Sequence, residues 1–313
     1  MKARLKIGTR GSALALTQAN LVASHLRAAW GLHDDAAAEG PEIIVIRTTG
    51  DRITDRPLAD IGGKGLFAKE LEEALFDGRI DVAVHSAKDL PSLLPDGLQI
   101  AATLPRADAR DAFLSPKAAT IGDLPRGSVI GTSSVRRQAQ LLAKRPDLKI
   151  VMFRGNVDTR LAKLKAGEVD ATILAAAGLE RLGRLTEVQT VLSVDEMLPA
   201  AGQGIIALEI RADDERAAVA VSAIDHAQTS LALSLERAFL ARLDGSCRTP
   251  LAAHARQDHD WSFRVLALAP DGSSQFSGGY DGAVLSATHA SEIGEAAADD
   301  ILSRAGRRLL LLE

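Results

Sequence analysis

The stretch IDVAVHSAKD, residues 80–89, opens as a short apolar run and closes in a polar cluster. A run this short, apolar at nearly every position, reads as a strand buried on both faces, of the kind found in parallel sheets. A polar cluster directly after such a strand lies where open α/β sheets bind ligands, outside the carboxyl ends of the strands.

The same unit repeats in both directions. Upstream, Leu5–Gly8 reads as a strand followed by a helix over about Ser12–Ala29, and Ile43–Thr48 reads as a second strand. Leu66–Phe76 has apolar residues at helical spacing, and Gly78 stops it. Downstream, Val129–Gly131, Lys149–Phe153 and Thr172–Leu174 read as strands, each followed by a helix, the last running to Leu182. Strand–helix alternation of this kind means an α/β fold. After about Ser222 the pattern changes: a helix near Ser230–Leu243, strands at Leu251–Ala255 and Phe263–Ala269, and a final helix near Ser291–Ala305 predict a smaller α+β domain.

Four polar clusters follow predicted strands: Thr9-Arg10-Gly11-Ser12, Ser86-Ala87-Lys88-Asp89, the run Thr132 to Arg137, and the run Arg154 to Arg160. Arginine pairs through a planar fork with carboxylate or phosphate, and helix N-termini attract anions. Any one cluster could equally be solvated side chains and helix caps. Four of them at equivalent strand ends point to a ligand with several separated anionic groups. Charge distribution agrees, since residues 105–198 hold 15 Lys/Arg against 11 Asp/Glu in a chain whose net charge is -4. That net charge argues against a general nucleic-acid binder.

Other features exclude chemistry or leave it open. The loop Gly62-Gly63-Lys64-Gly65-Leu66-Phe67 lacks the Gly-Lys-Ser/Thr order of a phosphate-binding loop, and reads as a lid or as a plain turn. Asp89 reads as a cap or salt-bridge partner, or as a fixed negative charge facing a cationic intermediate. Cys247 is the only cysteine, which excludes an intrachain disulfide and a multi-cysteine zinc site. It reads as an inert buried thiol or, beside Arg248, as a thiolate. The seven histidines form no spaced metal pair, and His85 at a strand end reads as structural. With no signal-like apolar run at the start and no membrane-length stretch, the expected compartment is the cytoplasm.

Taken in order, IGTRGSALAL, GGKGLFAKELE, DVAVHSAKDLP, GTSSVRRQAQL, RPDLKI, FRGNVDTRLAKL, ILAAAGLERLG, LPAAGQG and DGSCRTP resemble the porphobilinogen deaminase family from Ile7 to Pro250. The resemblance implies three domains. The first two, each like half of a type II periplasmic binding protein, would span 1–104 with 199–222 and 105–198; a third would span 223–313. It implies a dipyrromethane cofactor held through a thioether to Cys247. Four porphobilinogen units would be added to it, each losing ammonia to give a cationic azafulvene, and hydrolysis would release hydroxymethylbilane. By motif match Asp89 is the catalytic carboxylate. Ser86, Lys88, Thr132, Ser134, Arg136, Arg137, Arg160 and Gln203 would hold the cofactor, and Arg10, Ser12, Lys64, Phe67, Arg154 and Arg181 the substrate. The resemblance also implies a monomer, with no metal, nucleic acid or membrane among its partners.

The sequence departs from the family pattern at two points. Asp60 stands where some members have lysine, and Ser246 where glycine is common. Two rival readings share the anion-binding loops: a non-catalytic two-lobed binding protein, and an enzyme acting on a phosphorylated or sulfated metabolite.

Overall fold

The computed structural model describes residues 4–32, 40–48, 67–243 and 250–305. The chain divides into two compact units. The first holds the described residues up to Ala107 together with Ile205–Ser230, and the second holds Asp108–Gly204 and the described residues from Leu231 onward.

The first unit is built on a five-stranded sheet of order β2-β1-β3-β10-β4. Its strands are β1 (Lys6–Arg10), β2 (Glu42–Ile46), β3 (Val82–Ser86), β4 (Leu98–Thr103) and β10 (Ile206–Arg211). β1 pairs in parallel with β2 and β3, whereas β10 runs antiparallel to β3 and β4. The expected parallel environment of the 80–89 stretch therefore exists on one edge of β3 only. The physical reason is the connection: the chain re-enters this unit at Ile205, and β10 starts opposite Ser86, where β3 ends, so it runs back along β3. Helix α1 (Ala13–Ala29) buries Ala19, Val22 and Leu26 on one face of the sheet, against Val82, Val84 and Leu208. Helix α2 (Lys69–Phe76) covers the other face, burying Leu71, Ala74 and Leu75 with Ile80 and Ala83. Ile80 thus serves the core from just outside the strand.

The second unit contains a sheet of order β7-β6-β8-β5-β9. Here β5 is Asp111–Leu114, β6 Val129–Gly131, β7 Lys149–Val151, β8 Ala171–Ala175 and β9 Thr190–Val191. β6 pairs in parallel with β7 and β8, and β5 runs antiparallel to β8 and β9. This repeats the first sheet's arrangement strand for strand. Helices α3 (Val135–Lys144), α4 (Val157–Lys165) and α5 (Ala176–Arg181) follow β6, β7 and β8. In the first unit α6 (Glu215–Ser222) follows β10.

The same unit carries an antiparallel meander of β11 (Leu251–Gln257), β12 (Trp261–Leu268) and β13 (Gln275–Gly282). Its core joins Ala253, Phe263 and Val265 to Leu235 and Phe239 of α7 (Ala227–Arg242) and to Ile293, Ala298 and Ile301 of α8 (Ala287–Ala305). A Cβ on Gly294 would stand 2.4 Å from Leu235 O, so glycine is what lets α7 and α8 approach this closely. The α/β and smaller α+β classes expected from the sequence are both present. Strands β4, β5, β9, β10 and β13 and helix α6 were not anticipated. No described helix is long and apolar enough to cross a membrane.

Candidate functional site

In the first unit the chain folds its chemistry to the carboxyl ends of β1 and β3. Thr9 is buried and donates its hydroxyl to Ala15 O (3.1 Å), which ties the end of β1 to the first turn of α1. Ser12 caps that helix, its Oγ accepting from Ala15 N at 3.3 Å. Arg10, the last residue of β1, lays its guanidinium over the Phe67 ring, 4.0 Å from the centroid, a cation–π contact. Ser86 ends β3, and a single 3-10 turn, Ala87–Asp89, presents Lys88 and Asp89 as exposed residues.

These residues share one cleft. Arg10, Ser12, Phe67, Ser86 and Asp89 line it, together with Gln18 and His85. Among the described residues the Asp89 carboxylate has no hydrogen-bond or ion-pair partner, so neither the cap nor the salt-bridge reading describes it. Lys64, expected on the same side of the chemistry, lies outside the described residues, as does Asp60.

In the second unit the expected residues again stand after the strands. Thr132 follows β6 and is buried; its N–H donates to Val151 O at 3.0 Å, and its hydroxyl accepts from Ser134 N at 3.2 Å. Ser134 caps α3 by accepting from Arg137 N. Arg154 is half-buried after β7, and Arg160, on α4, donates Nε to Gly155 O at 2.8 Å. Arg181 ends α5 and donates to Gly204 O at 2.8 Å; burial pulls its guanidinium below the usual range.

Arg136 and Arg137 are placed differently from an open anion site. Both are buried and converge on Asp111 at the start of β5, each at 2.7 Å. Arg136 also donates to Leu198 O and Arg137 to Ile173 O, while Gln203 donates its amide to Ala109 O and to Asp111. Burial alone would raise the Asp111 carboxyl, but the two guanidinium groups hold it well below the usual carboxylate range. Arg136 Nε is buried with no hydrogen-bond partner among the described residues. Cys247 lies outside the described residues.

Sequence reasoning missed Gln18, Asp111 and Glu209. Gln18 is buried on the apolar stripe of α1 and exchanges hydrogen bonds with Ser86 Oγ (2.8 and 3.2 Å). A polar residue at a stripe position was the available signal. Asp111 and Glu209 carried no local signal, because each gains its role from partners far away in the chain.

Fold and site together define an α/β protein with cationic and hydroxylic groups gathered at strand ends, and with the Asp89 carboxylate, unpaired among the described residues, in a cleft. Residues 5–219 match the family described as "Porphobilinogen deaminase, dipyromethane cofactor binding domain", and residues 230–303 match "Porphobilinogen deaminase, C-terminal domain". The chain belongs to the porphobilinogen deaminase family. It is 53% identical to a porphobilinogen deaminase of Nitrobacter hamburgensis, over 98% of this chain and 95% of that one. It is 50% identical to the chloroplastic porphobilinogen deaminase of Oryza sativa subsp. japonica, over 96% of this chain and 84% of that one. Among solved structures it is similar to the methionine binding protein MetQ, at 15% identity and a TM-score of 0.43, over 71% of this chain and 89% of that one.

Proposed function

We propose that this chain joins four porphobilinogen molecules head to tail, with loss of ammonia, onto a dipyrromethane carried by Cys247, and releases hydroxymethylbilane by hydrolysis. The observation that carries the reading is the Asp89 carboxylate, unpaired among the described residues in a cleft it shares with Arg10, Ser12 and Ser86. Each porphobilinogen ring bears an acetate and a propionate, so the substrate needs cations and hydroxyl donors around its rim. It also needs an anion beneath its ring nitrogen when ammonia departs and positive charge develops on the ring. A preorganised carboxylate lowers that barrier because no solvent must reorient as the charge appears.

Within this reading Arg10, Ser12, Lys64, Phe67, Arg154 and Arg181 bind substrate carboxylates and pack its ring. Ser86, Lys88, Thr132, Ser134, Arg160 and Gln203 hold the cofactor. Arg136 and Arg137 shape the cofactor side through Asp111, with Arg136 Nε as the remaining donor. When bound, the dipyrromethane supplies the pyrrole end from which the chain grows. The protein's part is to orient that end, exclude water and hold the ring N–H groups. The three-domain division and a cytoplasmic monomer without metal or nucleic acid belong to the same proposal. The lone cysteine and the net charge of -4 support it.

The test is an intact mass. The purified chain should exceed its polypeptide mass by a dipyrromethane and should colour with Ehrlich's reagent after denaturation. Cys247→Ser should fold yet lose the added mass, the colour and the activity, since the thiolate is the nucleophile that forms the thioether. A wild-type mass equal to the bare polypeptide would return the choice to the two rival readings.

A further inference from the structure

Behind the Asp89 cleft lies a buried group that the reading above leaves without a role. His85, in the cleft wall on β3, has its Nε2 2.9 Å from Glu209 Oε2 on β10. The sheet register makes this contact: Ala207 stands opposite His85 and Glu209 opposite Ala83, so His85 and Glu209 are diagonal neighbours on one face. That face is the one α2 covers, and α2 brings Glu72 to the same place. All three side chains are buried, Glu209 completely. Glu209 Oε1 and Glu72 Oε1 are both buried without a hydrogen-bond partner among the described residues.

Two buried carboxylates near enough to feel each other's charge cannot both be ionised without a large cost. Burial first, and then the Glu209 charge, push Glu72 up to about 7, while His85 opposes the rise. The other charged groups around the three are few. Glu73 stands next on α2 toward solvent, and Glu70 is one turn position earlier. Arg211 of β10 is engaged with Leu75 O, Ile80 O and the Asp214 carboxylate. β4 carries no charged residue, and Arg10 and Asp89 line the same cleft as His85.

We propose that Glu72 and Glu209 are positioning residues for the reaction, acting through His85. With Glu72 protonated, the Glu209 charge is committed to the His85 Nε2–H. That bond fixes the ring's tautomer and orientation in the wall of the cleft, one residue from Ser86 and four from Asp89. When Glu72 loses its proton, a second negative charge competes for His85 and the wall loosens. The pair thus sets an upper pH limit on turnover without touching substrate. This inference rests on the deaminase reading.

The experiment uses cofactor-loaded holoenzyme, with loading checked by mass, and follows steady-state consumption of porphobilinogen from pH 6 to 9. Glu209→Gln should lower kcat about tenfold or more with little change in KM, as loss of a tautomer-fixing carboxylate does. Glu209→Asp should recover part of it. Glu72→Gln, permanently neutral, should move the alkaline limb of kcat to higher pH. A second readout is independent of activity. Because the folded protein holds the Glu72 proton more tightly than the unfolded chain, wild-type stability should fall as pH rises from about 4.5 to about 7. Glu72→Gln should flatten that slope. If loaded Glu72→Gln keeps the wild-type alkaline limb and Glu209→Gln keeps the wild-type kcat, the cluster is structural and the proposal is wrong. If Glu209→Gln does not fold, the limb in Glu72→Gln decides alone. A wild-type protein that carries no pyrrole and forms no product would instead overturn the deaminase reading itself.

Discussion

Asp89 is the residue on which the proposed chemistry turns, and its surroundings make it testable. It is exposed on a short 3-10 turn, so replacing its charge removes no buried contact and should not unfold the protein. Asp89→Asn keeps the shape and removes the charge. It should bind porphobilinogen normally and turn over about 10²–10³ more slowly, the usual cost of losing one preorganised electrostatic group. Asp89→Glu keeps the charge but moves it by about one C–C bond, a misplacement that can cost about 10²-fold, and should lie above Asn. Single-turnover kinetics on fully loaded protein separates this from slow priming. Loaded Asp89→Asn elongating at the wild-type rate would make Asp89 structural.

At the scale of elements, the corner where β5 meets α3 is held by one carboxylate. Asp111 bridges Arg136 and Arg137 on α3, and Gln203 reaches the same oxygen as Arg137 from the loop before β10. Removing it leaves two guanidinium groups buried without a counter-charge. Asp111→Asn should therefore cost about 3–5 kcal/mol in denaturant unfolding, far more than the net worth of an exposed ion pair. The sign with pH follows from the lowered carboxyl. The folded state holds the Asp111 proton less tightly than the unfolded chain, so its stabilisation is complete above the ordinary carboxylate range. It is lost as pH falls below that range. The variant should lack this acid-labile component. Unfolding midpoints equal to wild type at neutral pH would mean that the corner is held by something else.

Across the whole molecule the two five-stranded sheets share one strand order, and in each the antiparallel strand is the first after the chain enters the unit: β5 after Asp108 and β10 after Ile205. Within the second unit the meander is fastened to its neighbours at defined points. Glu236 accepts from Gly202 N and from Ala255 N, and Ala253 N donates to Pro199 O. The β12–β13 turn packs on α3, where Gly272 has φ +73 and an added Cβ would stand 2.3 Å from Ala143 N and 2.8 Å from Ala139 O. Backbone cannot yield as a side-chain tip can. Gly272→Ala should lower the stability of the whole unit by about 1–3 kcal/mol, from the left-handed backbone and the overlap together. A denaturant midpoint unchanged within error would show that the turn shifts freely off the helix.

Local chemistry in the sequence determined the alternation of strand and helix, the meander domain's helices, and the placing of Arg10, Ser12, Ser86 and Asp89 at or just after the ends of strands. Each of these follows from periodicity or residue type within about ten positions. It also determined the family, through nine motifs in order. Tertiary structure alone decided which cations are engaged within the protein. Arg136 and Arg137 read as open anion binders because Asp111 stands 25 and 26 residues away, and Gln203 meets the same carboxylate from 92 residues away. It alone decided that β10 runs antiparallel beside β3, since strand direction depends on where a distant segment re-enters. His85, read as structural, gains its buried hydrogen-bond partner only when β10 brings Glu209 to it, 124 residues later in the chain. Burial and pairing between remote segments set those charges, and neither is written in any local window of the sequence.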